Sequence, residues 1–153
     1  MTYAAKPIDR THIDLKDGAT VALLAAWVLS LLATFSVLFV GEIMGQAPCA
    51  LCWYQRIAMF PLALLLGIAA YRGDFGVWRY AFPIAGIGLL VAAFHSLLYY
   101  GAIPKGIEPC GAGPSCTDAE MTIFGLAIPV LSLAAFATLC TLMLRVRQGD
   151  AHE

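Results

Sequence analysis

The chain reads as four largely apolar stretches separated by polar punctuation. The first runs from about Ala19 to Val40, the second from Tyr54 to Tyr71, the third from Tyr80 to Tyr99 and the fourth from Thr122 to Leu144. Each is close to the ~20 residues that a helix needs to cross the hydrocarbon core of a bilayer. Inside lipid the backbone must satisfy its own hydrogen bonds, so stretches of this length fit helices rather than strands. Short connections favour antiparallel neighbours. The pattern therefore predicts an all-α integral membrane protein, a four-transmembrane-helix up-down bundle. A single membrane domain over 1–153 is expected, with loops at 41–53 and 100–121 that carry cysteines. Pro61, Pro83 and Pro129 fall inside these stretches, where proline removes a backbone hydrogen bond and is expected to kink a helix.

Composition agrees with the pattern. Hydrophobic residues make up 61% of the chain and charged residues 12%, against about half and a quarter in soluble domains. The leader, Met1 to Gly18, mixes Lys6, Arg10 and Lys16 with Asp9, Asp14 and Asp17. The apolar core behind it exceeds the ~7–15 residues of a cleavable signal, so the first stretch is expected to stay as a helix. The net charge of −1 says little about partners. No basic stripe exists for nucleic acid.

The positive charges set an expected orientation. Lys6, Arg10 and Lys16, then Arg72 and Arg79, then Arg145 and Arg147 all fall on one side of an up-down bundle. That side is expected to be cytoplasmic. The other side carries Lys105, with Arg56 just inside the second helix. Four of the five cysteines lie on that second side. It is expected to face the periplasm or exterior of a plasma or inner membrane, where disulfides persist. Trp53, Tyr54, Tyr99 and Tyr100 cluster toward the outer ends, and Tyr71, Trp78 and Tyr80 toward the inner ends. Such aromatic belts anchor helices at the interface.

The candidate chemistry begins at Pro48-Cys49-Ala50-Leu51-Cys52-Trp53-Tyr54-Gln55-Arg56. A Cys-x-x-Cys pair can close a small redox-active disulfide. Cys52 is expected in the first turn of a helix, where unpaired N–H groups and the helix dipole favour a thiolate. A thiolate attacks disulfides and could add to a quinone ring. With Cys49, Cys52 and Arg56 at i, i+3 and i+7, a helix beginning by Cys49 would put all three on one face. Arg56 could then lower the thiolate pKa and stabilise an oxyanion on a reduced quinone. Other readings stay open: a structural disulfide, half of a zinc site with Cys110 and Cys116, and an Arg56 that snorkels to the interface. Haem attachment fails because Trp53 stands where Cys-x-x-Cys-His needs histidine.

The second pair, Cys110 and Cys116, lies in a Gly/Pro-rich segment. So small a loop gains little chain entropy from closure. A disulfide that shuttles electrons fits better than a stabilising clip, which remains the alternative. His95, in the outer half of the third stretch, is an ionisable group within the membrane and a functional candidate on that ground. It could hydrogen-bond a quinone, manage its protons, or pair within the bundle. Glu42 could join the same region or be solvated. Cys140, deep in the fourth stretch, reads as an inert small hydrophobe.

These residues resemble the disulfide bond formation protein B (DsbB) family, and most of all its BdbC branch. The resemblance covers all four helices. It is most specific at Cys49-Ala50-Leu51-Cys52-Trp53-Tyr54-Gln55-Arg56, at Cys110-x5-Cys116-Thr117 and at Pro129 to Ser132. It implies a bound quinone, ubiquinone or menaquinone, and reoxidation of a DsbA-like thioredoxin-fold partner. It implies that Cys49 and Cys52 are the quinone-linked pair, with Cys52 touching the quinone and Arg56 beside it. It also implies that Cys110 and Cys116 are the loop pair, with Cys110 joining the partner in a mixed disulfide, and it sets His95 near a family histidine. The best-known DsbB type has its loop cysteines much further apart, whereas the short spacing here is that of BdbC. Two rivals remain: a vitamin K epoxide reductase-like enzyme, whose cysteine pairs come in the reverse order, and a structural or metal-binding membrane protein.

Overall fold

The computed structural model describes residues 18–104, 115–116, 122–123 and 125–150. Cys110, Lys105 and nearly all of the leader lie outside them. Four long helices account for most of the described chain: α1 (Gly18–Leu38), α2 (Ala50–Arg72), α3 (Trp78–Tyr99) and α4 (Ile128–Asp150). Each packs on the next in sequence, and α4 closes back on α1. All four are long and apolar enough to span a membrane. The protein is a multi-pass membrane protein built as a four-helix bundle.

The sequence explains the helix ends. α2 begins at Cys49, whose sulfur caps the Cys52 N–H. It stops at Gly73, whose φ of 64° is open to glycine at little cost. Asp74 then accepts the Gly76 N–H at 3.0 Å, starting a 3-10 turn over Phe75–Val77 that leads into α3. α1 loosens into a π-helical turn, Phe39–Ile43, before the chain reaches the cysteines.

The fourth helix begins later than the hydrophobic pattern suggests. The described residues between Thr122 and Ala127 are not helical: β1 (Thr122–Ile123) and β2 (Leu126–Ala127) pair antiparallel, with Thr122 opposite Ala127. Gly125 turns between them at φ 79°. The helix runs on past Leu144 to Asp150 instead. Pro129 is consequently its second residue. A missing N–H costs nothing in a first helical turn, so this proline starts a helix rather than kinking one. Pro61 and Pro83 do lie within α2 and α3.

The core sits on the bundle axis. Phe136, Leu139, Met143 and Val146 of α4 meet Leu62 and Leu66 of α2, all at 1% exposure or less. Between helices in lipid there is no hydrophobic driving force, and close packing must hold them together. Small residues provide it. Ala19, Ala22, Ala26 and Ser30 flank Leu23 on the buried face of α1, and Gly88 of α3 packs against the Phe136 ring, where a Cβ would clash. Leu32, Phe35, Leu64 and Leu90 point outward, more than 60% exposed, as a lipid-facing surface requires.

Candidate active site

The two cysteines of Cys-x-x-Cys occupy different environments because one precedes the helix and the other is in it. Cys49, extended at φ −72° and ψ 169°, is the N-cap of α2. Its sulfur accepts the Cys52 N–H at 3.4 Å and shares a hydrogen bond with the Cys52 sulfur at 3.1 Å. Both cysteines are free thiols. Cys49 is fully buried and packs with Leu51, Leu98 and Cys116. Cys116 is disulfide-bonded.

Third in this cluster is His95 of α3, which is fully buried. Its Nε2 lies 3.2 Å from the Cys116 carbonyl and 3.9 Å from Cys49 Sγ. Its Nδ1 lies 3.2 Å from Gln55 Nε2. A carbonyl can only accept, so Nε2 carries the proton; the Nδ1 lone pair then accepts from the Gln55 amide. The Cys49 thiol is lowered below its ordinary range. The hydrogen bond from Cys52 is the main cause, with His95 and the Cys52 N–H adding to it and burial opposing. Cys52 lies in the first turn of α2, as the spacing predicted, and it is the Cys49 sulfur that caps its N–H.

Cys52 faces elsewhere. With Gln55 and Arg56 it lines a cleft of about 1610 Å³ between α1, α2 and α4. Leu32, Ala33 and Phe136 supply part of its apolar wall, and Ser132 and Glu42 also line it. Arg56 is 8% exposed. Its Nη2 donates to the Val37 carbonyl at 2.9 Å, near the junction of α1 with the π-helical turn. Its guanidinium stacks over Trp53 at 5.3 Å. Gly41 allows this approach, since a Cβ there would stand 3.0 Å from Nη2. Among the described residues one hydrogen bond engages a group with five N–H donors. That leaves donors for an oxygen in the cleft.

The structure thus joins Cys49, His95 and Cys116 in one cluster, and Cys52 and Arg56 on the cleft wall. His95 turns to Cys49 rather than to the cleft. Cys140 sits apart, packed against the core. Cys49, Cys52 and His95 also have ligand atoms within 4.8 Å of one another. In this arrangement the Nε2 proton faces the cysteines, so the imidazole offers a cation no lone pair there. Gln55 was given no role from sequence alone. Its signal was a polar amide in an apolar helix, one turn beyond Cys52.

A membrane-embedded four-helix bundle with a buried dithiol beside a disulfide defines a class, the membrane thiol–disulfide oxidoreductases. The profile of the family "Disulfide bond formation protein DsbB" matches residues 19–146, and the chain belongs to that family. It is 53% identical over 128 residues to a "Probable disulfide formation protein" of Metapseudomonas resinovorans, covering 82% of this chain and 89% of the other. It is 42% identical over 134 residues to "Disulfide bond formation protein C" of Bacillus subtilis, covering 87% and 96%. A "Probable disulfide formation protein" of Deinococcus radiodurans is 42% identical over 133 residues, covering 80% and 86%. No solved structure matches the chain. Family membership makes the protein an oxidoreductase of disulfide bond formation that exchanges disulfides with a thiol partner.

Proposed function

We propose that the protein is a thiol:quinone oxidoreductase. It reoxidises a DsbA-like thioredoxin-fold protein outside the cytoplasm and passes the electrons to a membrane quinone. One observation carries this reading: Cys52 and Arg56 share the wall of an apolar cleft while Cys49, one hydrogen bond away, backs onto Cys116. Membrane quinones are apolar rings bearing two carbonyl oxygens. The cleft fits one: its lining is mostly apolar, its lining residues Leu32 and Phe35 face lipid, and Arg56 has donors to spare.

The steps balance as two-electron exchanges. A partner thiolate attacks the Cys110–Cys116 disulfide, Cys110 forming the mixed disulfide, and the partner leaves oxidised. The loop dithiol then attacks Cys49–Cys52; that bond breaks, the loop disulfide re-forms, and two thiols remain at Cys49 and Cys52. A quinone bound in the cleft would accept the two electrons, and two protons, as the Cys49–Cys52 bond closes again. Arg56 would bind the carbonyl oxygen and offset charge developing on it. The positive charges on the tails and on the α2–α3 turn support a reading in which these cysteines face outward.

The test is quinone absorbance with purified protein, short-chain ubiquinone and menaquinone analogues, and a reduced DsbA-like protein. Quinone loss should match partner disulfide one for one, and Cys49→Ala should abolish it while Cys110 still captures the partner. Undiminished turnover in Cys49→Ala would sink the relay.

A further inference from the structure

We propose that Gln55 and His95 form a positioning pair that docks the loop disulfide against the Cys49 sulfur for transfer between the two redox pairs. This deepens the thiol:quinone reading and rests on it. A single N–H carries the argument. His95 Nε2 is 3.2 Å from the backbone carbonyl of one loop cysteine and 3.9 Å from the sulfur of the helix-capping cysteine.

The Cys116 carbonyl requires this nitrogen to be a donor, and Gln55 matches that tautomer from the other side. An imidazole with one proton places it on either nitrogen, and the choice follows from the partner of the other. Gln55, 6% exposed, presents its amide N–H to Nδ1 at 3.2 Å. The proton is thereby held on Nε2. With the opposite tautomer, a lone pair would face the Cys116 carbonyl, and the loop would be repelled from Cys49. Gln55 also lines the cleft beside Cys52. The same side chain thus borders the cleft and fixes the group that docks the loop.

The pair takes no electrons and forms no bond. When a loop thiolate attacks the Cys49–Cys52 disulfide, the Cys116 backbone is already held beside Cys49. When the exchange is complete, the Cys49 sulfur released as a thiolate meets the Nε2–H, and the proton it takes up is one given up by the loop dithiol as that disulfide re-forms. Burial raises the value of each contact, since no water competes at a fully buried imidazole.

The experiment uses the full chain in nanodiscs with reduced DsbA-like partner and a short-chain quinone. His95→Leu should lower kcat about tenfold to a hundredfold, the range for misplaced reacting groups. The KM for quinone should stay within about twofold. His95→Gln, whose amide N–H reaches the Nε2 position, should recover most of kcat with the wild-type pH profile. Gln55→Leu should slow the reaction as His95→Leu does. A raised quinone KM with unchanged kcat in His95→Leu would overturn the proposal in favour of a quinone ligand. Equal loss in His95→Gln and His95→Leu would overturn the donor role. Should His95→Leu fail to fold, the ring 15N shifts of wild-type protein decide: the chain has three histidines, and His95 must show a bare Nδ1 and a protonated Nε2. The reverse pattern removes the basis of the proposal. Failure of the underlying reading looks different, because wild-type protein would then reduce no quinone at all.

Discussion

At the residue scale, three polar groups converge on one sulfur. Cys49 shares a hydrogen bond with the Cys52 sulfur and accepts the Cys52 N–H, with His95 Nε2 at 3.9 Å. Each favours the thiolate, and together they exceed the cost of burial. The consequence for pH has a definite sign. The folded thiol titrates below the unfolded value, so thiolate stabilisation is fully present above the ordinary thiol range and lost as pH falls through the folded value. Dithiol-state protein should therefore gain stability relative to Cys49→Ala as pH rises from about 5 to about 9. Thermal unfolding of both reduced proteins across that range checks this, together with thiolate absorbance near ~240 nm, which should persist to lower pH in the wild type. Equal pH dependence in the two would remove the three-group account. Arg56 shows the same economy of placement: a carbonyl at the end of α1, a tryptophan face and an absent Cβ at Gly41 hold its guanidinium at the cleft.

At the element scale, close contact replaces hydrophobic burial as the cohesive force. The α3–α4 contact depends on Gly88, against which the Phe136 ring packs. Gly88→Ala should cost about 1–3 kcal/mol, the usual penalty for overpacking a filled core. The measurement is a thermal or denaturant midpoint in detergent, and a double variant with Phe136→Leu should recover part of the loss. An unchanged midpoint in Gly88→Ala would mean that the helices can separate without cost. The start of α4 makes a related point. Ile123, Phe124, Leu126 and Ala127 are apolar and continue the helix by hydropathy alone. Gly125 at positive φ and the pairing of Thr122 with Ala127 stop it. Hydropathy measures affinity for an apolar phase and is silent on backbone direction, so it extended the helix one and a half turns too far.

At the scale of the whole molecule, the bundle separates two tasks on one short helix end. The Cys49 side carries the contact with the loop disulfide, and the Cys52 side opens on the cleft between α1, α2 and α4. A three-residue offset around the first turn of α2 is enough to give the two sulfurs different neighbours while keeping them 3.1 Å from each other. The proposed orientation, with the positively charged ends inside, makes a labelling prediction. In a variant otherwise lacking exposed thiols, a cysteine at Ala102 should react with a membrane-impermeant maleimide in intact cells. One at Asp74, in the α2–α3 turn, should react only after lysis. The opposite labelling would invert the orientation and remove the oxidising compartment that the function requires.

Sequence by itself determined the membrane class, the four helices and the cysteine pairs, because hydropathy runs and Cys-x-x-Cys spacing are local properties of the chain. Arg56 was legible for the same reason, as a charge one turn beyond Cys52. Only the tertiary structure decided which cysteine caps the helix, which faces the cleft, and that His95 meets Cys49 rather than the cleft. Gln55 and His95 are 40 residues apart in the chain, and their contact depends on how α2 and α3 rotate about their own axes. That rotation is set by side-chain packing such as Phe136 on Gly88, which no local pattern encodes.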